Sequence, residues 1–288
     1  MAVNLQTIKD IRNYLRAELD GIYTEEEIRS ITHILNYTVL NINKLHFLTE
    51  NGTLVTPDKV AAITEICRRL INGEPLQYIL GETEFYGLRI KVNPHTLIPR
   101  PETEEMTDLI IRENRDFKGT IIDIGTGSGC IAIALSASLP GAWVSGFDIS
   151  GEAVALASEN AEINNVKASF FCADILDNIN AISCKADIIV SNPPYVRLSE
   201  KGSMGKNVLD FEPHNALFVP DNRPLIHYEA ILRLAQVILN PGGKVYFEIN
   251  ETMGAELTLL MQSFDYENVT IVTDINGKER ILKASRYG

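Results

Sequence analysis

The chain has 288 residues, of which 45% are hydrophobic and 22% are charged. This balance is typical of a soluble globular protein with one large or two ordinary domains, and it argues against long disordered segments. The formal net charge of −12 disfavours a nucleic-acid binder, because such proteins usually carry a basic face.

Further features of the sequence bear on the compartment and on metal binding. The four cysteines form no C-x-x-C pair, which is typical of small buried residues in a reducing compartment. No histidine shares metal-site spacing with another ligand, so we expect no metal. No apolar run approaches membrane-spanning length, and the amino terminus lacks a signal-peptide core. We therefore expect a cytoplasmic protein without membrane contact.

Residues 1–75 predict a small helical domain, because apolar residues recur at helical spacing in three stretches. Thr24 and Glu27 form a capping box at the start of the second stretch. Thr56 is expected to cap the third, with Pro57 in its first turn. No chemical motif occurs here, so two interpretations stay open: a packing or oligomerisation module, or a platform that recognises a macromolecular substrate.

Residues 76–102 predict a linker between two domains. Two stretches, 77–81 and 84–92, suggest a short β-hairpin. Prolines on both sides of Arg100 force extended backbone on their neighbours, which holds this arginine in a defined place before a helix near 103–115. A functional role for Arg100 and a simple linker are both compatible with the pattern.

From Gly119 onwards, strand patterns alternate with helical ones, which predicts a mostly parallel sheet covered on both faces. Such sheets bind their ligands at the carboxyl ends of the strands. The predicted strands are 120–124, 142–147, 168–172, 186–191, 243–249, 268–273 and 279–284, and the predicted helices are 128–137, 151–163, 224–239 and 252–264.

A glycine-rich turn follows the first of these strands. Gly125, Gly127 and Gly129 alternate with Thr126 and Ser128, which allows a tight turn and lets a ligand approach the backbone. The pattern is G-x-G-x-G without a following Gly-Lys-Ser/Thr, so a phosphate-binding loop is the weaker interpretation. A bulky neutral or cationic nucleoside is favoured over a purely structural turn.

Acidic residues end the second and third strands. Asp148 can accept hydrogen bonds from both hydroxyls of a ribose, as the corresponding carboxylate does in dinucleotide-binding folds. Asp174 can accept from the amino group of an adenine. Solvation at the surface is the more common role for either residue alone. Their succession after a glycine turn is less common by chance and predicts a nucleoside site.

The fourth strand ends in Asn192, Pro193, Pro194 and Tyr195. A planar –NH2 group has two hydrogens to donate. The side-chain oxygen of Asn192 can accept one and the carbonyl of Pro193 the other, while Tyr195 lies against the planar group. A Pro-Pro turn that only ends the strand is equally compatible with these four residues taken alone.

Together these strand ends resemble the class I S-adenosylmethionine-dependent methyltransferases, in the branch that methylates planar nitrogens through an N-P-P-Y motif. Other segments are similar to the bacterial peptide chain release factor glutamine methyltransferases. One departure is Ile175, where some relatives carry an aromatic residue beside the adenine. The similar segments are 73–81, 84–85, 97–104, 210–213, 216–217 and 277–280.

The resemblance implies an α/β, Rossmann-like fold with a mostly parallel seven-stranded sheet over residues 103–288. It implies methyl transfer from S-adenosyl-L-methionine, leaving S-adenosyl-L-homocysteine, to the N5 amide nitrogen of the glutamine in the Gly-Gly-Gln loop of class I release factors. This reaction modulates translation termination. Residues 1–75 would then recognise the substrate, and no direct nucleic-acid contact is expected.

The resemblance also assigns roles to individual residues of this chain. Catalysis falls to Asn192, Pro193 and Tyr195, and substrate binding to these residues together with Pro194. The implied cofactor-binding residues are Gly125, Thr126, Gly127, Ser128, Gly129, Asp148, Asp174 and Asn192. No general base is evident, because Glu212 and His214 are expected to be solvated loop residues.

Two other functions compete with this one. An adenine-N6 or guanine-N2 methyltransferase acting on nucleic acid could use the same –NH2 site and stack Tyr195 on a flipped base. It should carry a basic stripe, whereas the longest basic clusters here are single pairs such as Arg68-Arg69. A scaffold that binds the cofactor without catalysis is the second alternative, and the intact Asn192 argues against it.

Overall fold

The computed structural model describes residues 5–42, 52–177, 182 and 184–288. By their contacts the described residues divide into two compact units, Met1–Leu80 and Gly81–Gly288, whereas the sequence-based division places a separate linker at 76–102. No helix in the described part of the chain is long and apolar enough to cross a membrane.

The first unit is helical, as predicted. Thr24 and Glu27 form the expected capping box. Thr56 is the N-cap residue of α3 and Pro57 lies in its first turn, both as predicted, but the Thr56 side chain makes no capping hydrogen bond among the described residues. The helices are α1 (Ile8–Leu19), α2 (Glu25–Thr38), α3 (Pro57–Ile71) and α4 (Leu76–Leu80). Their apolar faces bury a core that includes Ile11, Leu15, Leu35, Ile63 and Leu70.

The predicted hairpin is shorter than expected. Strands β1 (Glu82–Phe85) and β2 (Leu88–Lys91) pair antiparallel. Tyr86 and Gly87 join them with φ values of 52° and 72°, as a two-residue hairpin turn requires. Residues 77–80, expected in the hairpin, are helical instead and belong to α4.

The seven-stranded sheet of the second unit confirms the predicted fold class. In the described residues its spatial order is β10-β11-β9-β6-β3-β4-β5. The five strands from β9 to β5 are parallel, and β11 runs antiparallel between β9 and β10. The strands are β3 (Thr120–Ile124), β4 (Trp143–Asp148), β5 (Ala168–Cys172), β6 (Ala186–Ser191), β9 (Leu239–Glu248), β10 (Tyr266–Thr273) and β11 (Glu279–Arg286).

Helices cover the sheet because its central strands are apolar on both faces. In β3 four of the five residues are buried. Helix α6 is apolar all round its first turns, as expected for a helix enclosed by the fold. The helices of this unit are α5 (Pro101–Glu113), α6 (Cys130–Ser138), α7 (Gly151–Ile163), α8 (Lys206–Phe211), α9 (Ile226–Ile238) and α10 (Gly254–Ser263).

The segment between β6 and α9 contains structure that the sequence patterns did not predict. Two short strands, β7 (Val196–Arg197) and β8 (Phe218–Val219), pair in parallel. Between them lie 3-10 turns at Leu198–Ser203 and His214–Ala216, separated by α8. The end of this segment therefore pairs with its beginning, which directly follows the N-P-P-Y turn.

Asparagines on α7 satisfy the backbone of β2. Asn160 accepts from the Lys91 N–H at 2.7 Å and donates to the carbonyls of Lys91 and Ser128 at 3.0 and 2.9 Å. Asn164, one helical turn later, accepts from the Arg89 N–H and donates to the Arg89 carbonyl. Asn160 is fully buried, so it connects the hairpin to the glycine-rich turn without competition from water.

Replacing Asn160 with alanine should destabilise the protein. The change leaves buried backbone groups of Lys91 and Ser128 without partners, and each such group costs about 1–3 kcal/mol. We expect a loss of roughly 3 kcal/mol in the free energy of unfolding, measured by urea denaturation. Asn164→Ala is the matched control and should cost about 1 kcal/mol, because its bonds are more exposed. Equal losses in both variants would contradict the assignment.

Candidate active site

A cavity of about 370 Å³ lies where parallel strands β3, β4, β5 and β6 end. The order of the strands reverses beside β3, and this is where open α/β sheets form their ligand crevice. The structure brings most of the predicted site residues together here. Those that line the cavity are Gly125, Thr126, Gly127, Ser128, Asp148, Asp174, Asn192, Pro193 and Pro194.

The glycine-rich turn exposes its backbone to the cavity. Gly125, Gly127 and Gly129 have φ values of 70°, 55° and 81°, a region that side chains disfavour. A Cβ at Gly125 or Gly127 would meet no described atom within 4 Å, so a ligand can approach the chain there. Gly129 is outside the lining; a Cβ there would come within 2.9 Å of the Ala157 Cβ. Its role is close packing of the turn on α7.

The two strand-end acids lie in different environments. Asp148 Oδ2 accepts from the Gly127 N–H at 2.9 Å, and its Oδ1 accepts from the Ser150 N–H at 3.0 Å. Each carboxylate oxygen still has a lone pair for a hydroxyl of a ligand. Asp174 accepts from the Leu176 N–H at 2.8 Å and is half-buried. The two acids line the same cavity, so both can contact one ligand.

A third acid, Asp123, lies fully buried in β3 just before the turn, and the sequence patterns did not single it out. Its Oδ2 accepts from the Thr126 hydroxyl at 2.6 Å, and its Oδ1 has no hydrogen-bond partner among the described residues. Burial raises the pKa of Asp123 from 3.8 to about 7, although the Thr126 hydroxyl opposes the shift. The sequence signal that could have identified Asp123 is its position two residues before Gly125, where the glycine-rich turn begins.

Asp123 predicts a pH dependence of stability. The folded state holds the proton up to about pH 7, whereas the unfolded chain releases it near pH 4. The contribution of the neutral acid to the free energy of unfolding is therefore complete below pH 4, and it is lost as the pH rises through 7. The shift corresponds to about 4 kcal/mol. Asp123→Asn should gain stability relative to the wild type by up to this amount between pH 4 and 8, measured by denaturation of the ligand-free protein. A pH-independent difference would contradict the assignment.

The Asn192 side chain donates a hydrogen bond to Thr103, which in turn is bound to Glu248. Its Nδ2 donates to Thr103 Oγ1 at 3.2 Å, and the Thr103 hydroxyl donates to Glu248 Oε2 at 2.6 Å. Glu248 is 1% exposed at the end of β9. Burial raises its pKa, and the hydrogen bonds from Thr103 and Tyr195 act in the opposite direction. The sequence analysis missed both Thr103 and Glu248, although Glu248 ends the fifth parallel strand, just as Asp148 ends the second.

Tyr195 is the aromatic residue of the predicted substrate site. It is not among the described residues that line the cavity. Its ring packs against the hydrophobic core of the sheet, and its hydroxyl donates to Glu248 Oε1 at 3.1 Å. Burial raises the pKa of Tyr195, and the charge of Glu248 raises it further. The Tyr195 hydroxyl therefore supports Glu248.

Glu212 is buried, so the prediction of a solvated loop acid is wrong. Its Oε1 lies 2.5 Å from Arg100, and its Oε2 accepts from the Ile98 N–H at 3.3 Å. Arg100 lines the cavity, and this ion pair fixes it to the segment that follows β7. His214 is exposed as expected, with its Nε2 2.8 Å from the Leu209 carbonyl oxygen.

The chain matches known proteins over nearly its whole length. Residues 10–81 match the PrmC N-terminal domain, and residues 102–210 match the methyltransferase small domain. A release factor glutamine methyltransferase from Bacteroides thetaiotaomicron is 43% identical, over 96% of this chain and 99% of its own. One from Flavobacterium psychrophilum is 41% identical, with the same coverage of both chains.

The chain belongs to the release factor glutamine methyltransferase family. The family predicted from the sequence is thus confirmed. A solved methyltransferase from Pyrococcus furiosus has a TM-score of 0.50 at 18% identity and covers 81% of this chain and 100% of its own. This likeness supports the fold.

The methyl donor of this methyltransferase is S-adenosyl-L-methionine, and the cavity suits it. The cavity has the volume of an ordinary small-molecule site. The open backbone at Gly125 and Gly127 leaves room for a bulky ligand. Asp148 offers lone pairs to paired hydroxyls, and Ile175 contributes an apolar surface rather than an aromatic ring.

Proposed function

We propose that this protein methylates the side-chain amide nitrogen of a glutamine in class I peptide chain release factors. The observation that carries the proposal is the pair of acceptors at the end of β6. Asn192 and Pro193 both line the cavity. Within the described residues, neither the Asn192 side-chain oxygen nor the Pro193 carbonyl accepts a hydrogen bond, so both are available to a planar –NH2 group.

The role of these residues is mainly to orient the substrate. An amide nitrogen is a poor nucleophile because its lone pair is delocalised into the carbonyl. If Asn192 and Pro193 accept both N–H hydrogens, they fix the plane of the amide and direct the lone pair. Alignment of two reactants lowers a barrier by up to ~7–11 kcal/mol. S-adenosyl-L-methionine supplies a methyl group on a positively charged sulfur.

The proton released from the amide is assigned to water. Glu212 follows the motif in sequence, and its two oxygens already bind Arg100 and the Ile98 N–H. The carboxylate of Glu248 accepts hydrogen bonds from the Thr103 and Tyr195 hydroxyls. Neither carboxylate is among the described residues that line the cavity, and the Asn192 side chain hydrogen-bonds to Thr103 rather than to either of them.

A protein substrate is supported by charge and by the relatives. The net charge of −12 suits a protein partner better than a polyanion. The relatives from Bacteroides and Flavobacterium are named for release factors. The proposal therefore includes a cytoplasmic location, where release factors act, and substrate recognition by the amino-terminal helical unit.

Methylation of a nucleic-acid base is less well supported. A flipped base is usually stacked on an aromatic side chain. Tyr195, the aromatic residue of the motif, lies outside the described lining and donates its hydroxyl hydrogen to Glu248. The same two acceptors would fit a base amino group, but the net charge of −12 disfavours a polyanionic partner.

Asn192→Ala should abolish methylation and leave cofactor affinity mostly intact, because it removes an acceptor for the substrate amide. The assay incubates the enzyme and labelled S-adenosyl-L-methionine with a release factor, with the same factor lacking the target glutamine, and with DNA or RNA. Asn222→Ala is the matched control, since Asn222 is exposed and is not among the described residues that line the cavity, and it should retain activity.

Two outcomes would contradict the proposal. Label on nucleic acid alone would show that the –NH2 group belongs to a base. Equal losses of cofactor affinity and turnover in Asn192→Ala would place Asn192 in the cofactor pocket only.

A further inference from the structure

A buried polar pair lies behind Asn192. Thr103 begins α5, and Glu248 ends β9, so the two residues are far apart in sequence and meet only in the fold. We infer that Glu248 is a positioning residue that, through Thr103, determines which atom of the Asn192 amide faces the substrate. This inference rests on the proposed methylation of a glutamine amide.

The direction of the hydrogen bonds follows from counting hydrogens. A threonine hydroxyl has one hydrogen to donate. The 2.6 Å contact between Thr103 Oγ1 and Glu248 Oε2 uses that hydrogen. Thr103 can then only accept from Asn192, at 3.2 Å. The Asn192 nitrogen must face Thr103, and its oxygen must face the cavity.

Other groups keep Glu248 in its acceptor role. The Tyr195 hydroxyl donates to Oε1 at 3.1 Å, so both carboxylate oxygens receive a hydrogen bond. The Tyr228 hydroxyl donates to the Glu248 backbone carbonyl at 2.8 Å and fixes the end of the strand. The positive charge of Arg280 favours the ionised form, whereas burial and the charge of Glu102 oppose it. Asn192 and Tyr195, two residues of the N-P-P-Y motif, therefore both donate hydrogen bonds to the buried pair, Asn192 to Thr103 and Tyr195 to Glu248.

The orientation of Asn192 has a consequence for specificity. With its oxygen facing the cavity, Asn192 and the Pro193 carbonyl present two acceptors, which suit an –NH2 group and repel a carboxylate. If the amide were turned over, its own –NH2 group would face the cavity and favour an acceptor. The pair of Thr103 and Glu248 would thus set the preference for a glutamine over a glutamate at the target position.

The test compares variants at Thr103. Thr103→Val removes the hydroxyl and keeps the shape, whereas Thr103→Ser keeps the hydroxyl. We expect kcat of Thr103→Val to fall by roughly 100-fold, with unchanged affinity for S-adenosyl-L-methionine, and Thr103→Ser to restore most of the activity. Glu248→Gln should act in the same direction, because its –NH2 group replaces one of the two acceptor oxygens with a donor.

A second measurement separates orientation from packing. A release factor with glutamate at the target position is used as a competitive inhibitor. The ratio of its inhibition constant to the KM of the normal factor should be about tenfold lower in Thr103→Val than in the wild type. This change is equivalent to one hydrogen bond to a charged group. A merely structural role for Thr103 would not change this ratio. Thermal unfolding verifies that each variant is folded.

The outcomes distinguish this inference from the proposed function. A wild-type enzyme that labels no release factor overturns both. If the wild type is active, then full activity in Thr103→Val overturns only the inference. Loss of activity in Thr103→Ser equal to that in Thr103→Val, with an unchanged inhibition ratio, also overturns it, because packing would then explain the loss.

Discussion

A carboxylate removed from water is costly unless donors surround it, and Glu248 is 1% exposed. Its donors come from the start of α5 and from the turn after β6. The need to satisfy this one group therefore brings together two segments that also line the cavity. Asn192 is attached to the same pair through Thr103. The acceptor side of the site is consequently held by the interior of the fold and not by the surface loop that follows it.

The cofactor side is built on a different principle. There the backbone of a glycine-rich turn faces open space, and the conformation is held by neighbours on each side. Asp148 binds the Gly127 N–H, and Asn160 binds the Ser128 carbonyl. The turn is thus rigid before any ligand arrives, which lowers the cost of ordering it on binding. The two halves meet at the ends of β3 and β6, which are neighbouring parallel strands.

The sequence was most informative where a signal is local. Apolar runs located the parallel strands, and the pattern of Thr24 and Glu27 located the start of α2. Strand-end residues such as Asp148 and Asn192 were found because one edge of a parallel sheet collects them. The same reasoning placed nearly all of the predicted site residues around one cavity.

In the site, the errors concern contacts between distant residues. Glu212 was expected in solvent, yet it pairs with Arg100, 112 positions away. Thr103 and Glu248 are separated by 145 positions, and no periodicity relates them. The bond from Tyr195 to Glu248 spans 53 positions and was not predicted either, because a motif does not reveal which distant residues its side chains will contact. In each case a polar partner within the fold decided the position, and local propensity carries no information about that partner.

The binding of the glutamine –NH2 group by Asn192 and Pro193 is tested most directly by a crystal structure of the complex with S-adenosyl-L-homocysteine and a release factor. We predict that the nitrogen of the target glutamine amide lies about 2.7–3.2 Å from both the Asn192 side-chain oxygen and the Pro193 carbonyl oxygen. A complex in which the glutamine oxygen faces Asn192, or in which another group binds the amide nitrogen, would contradict it.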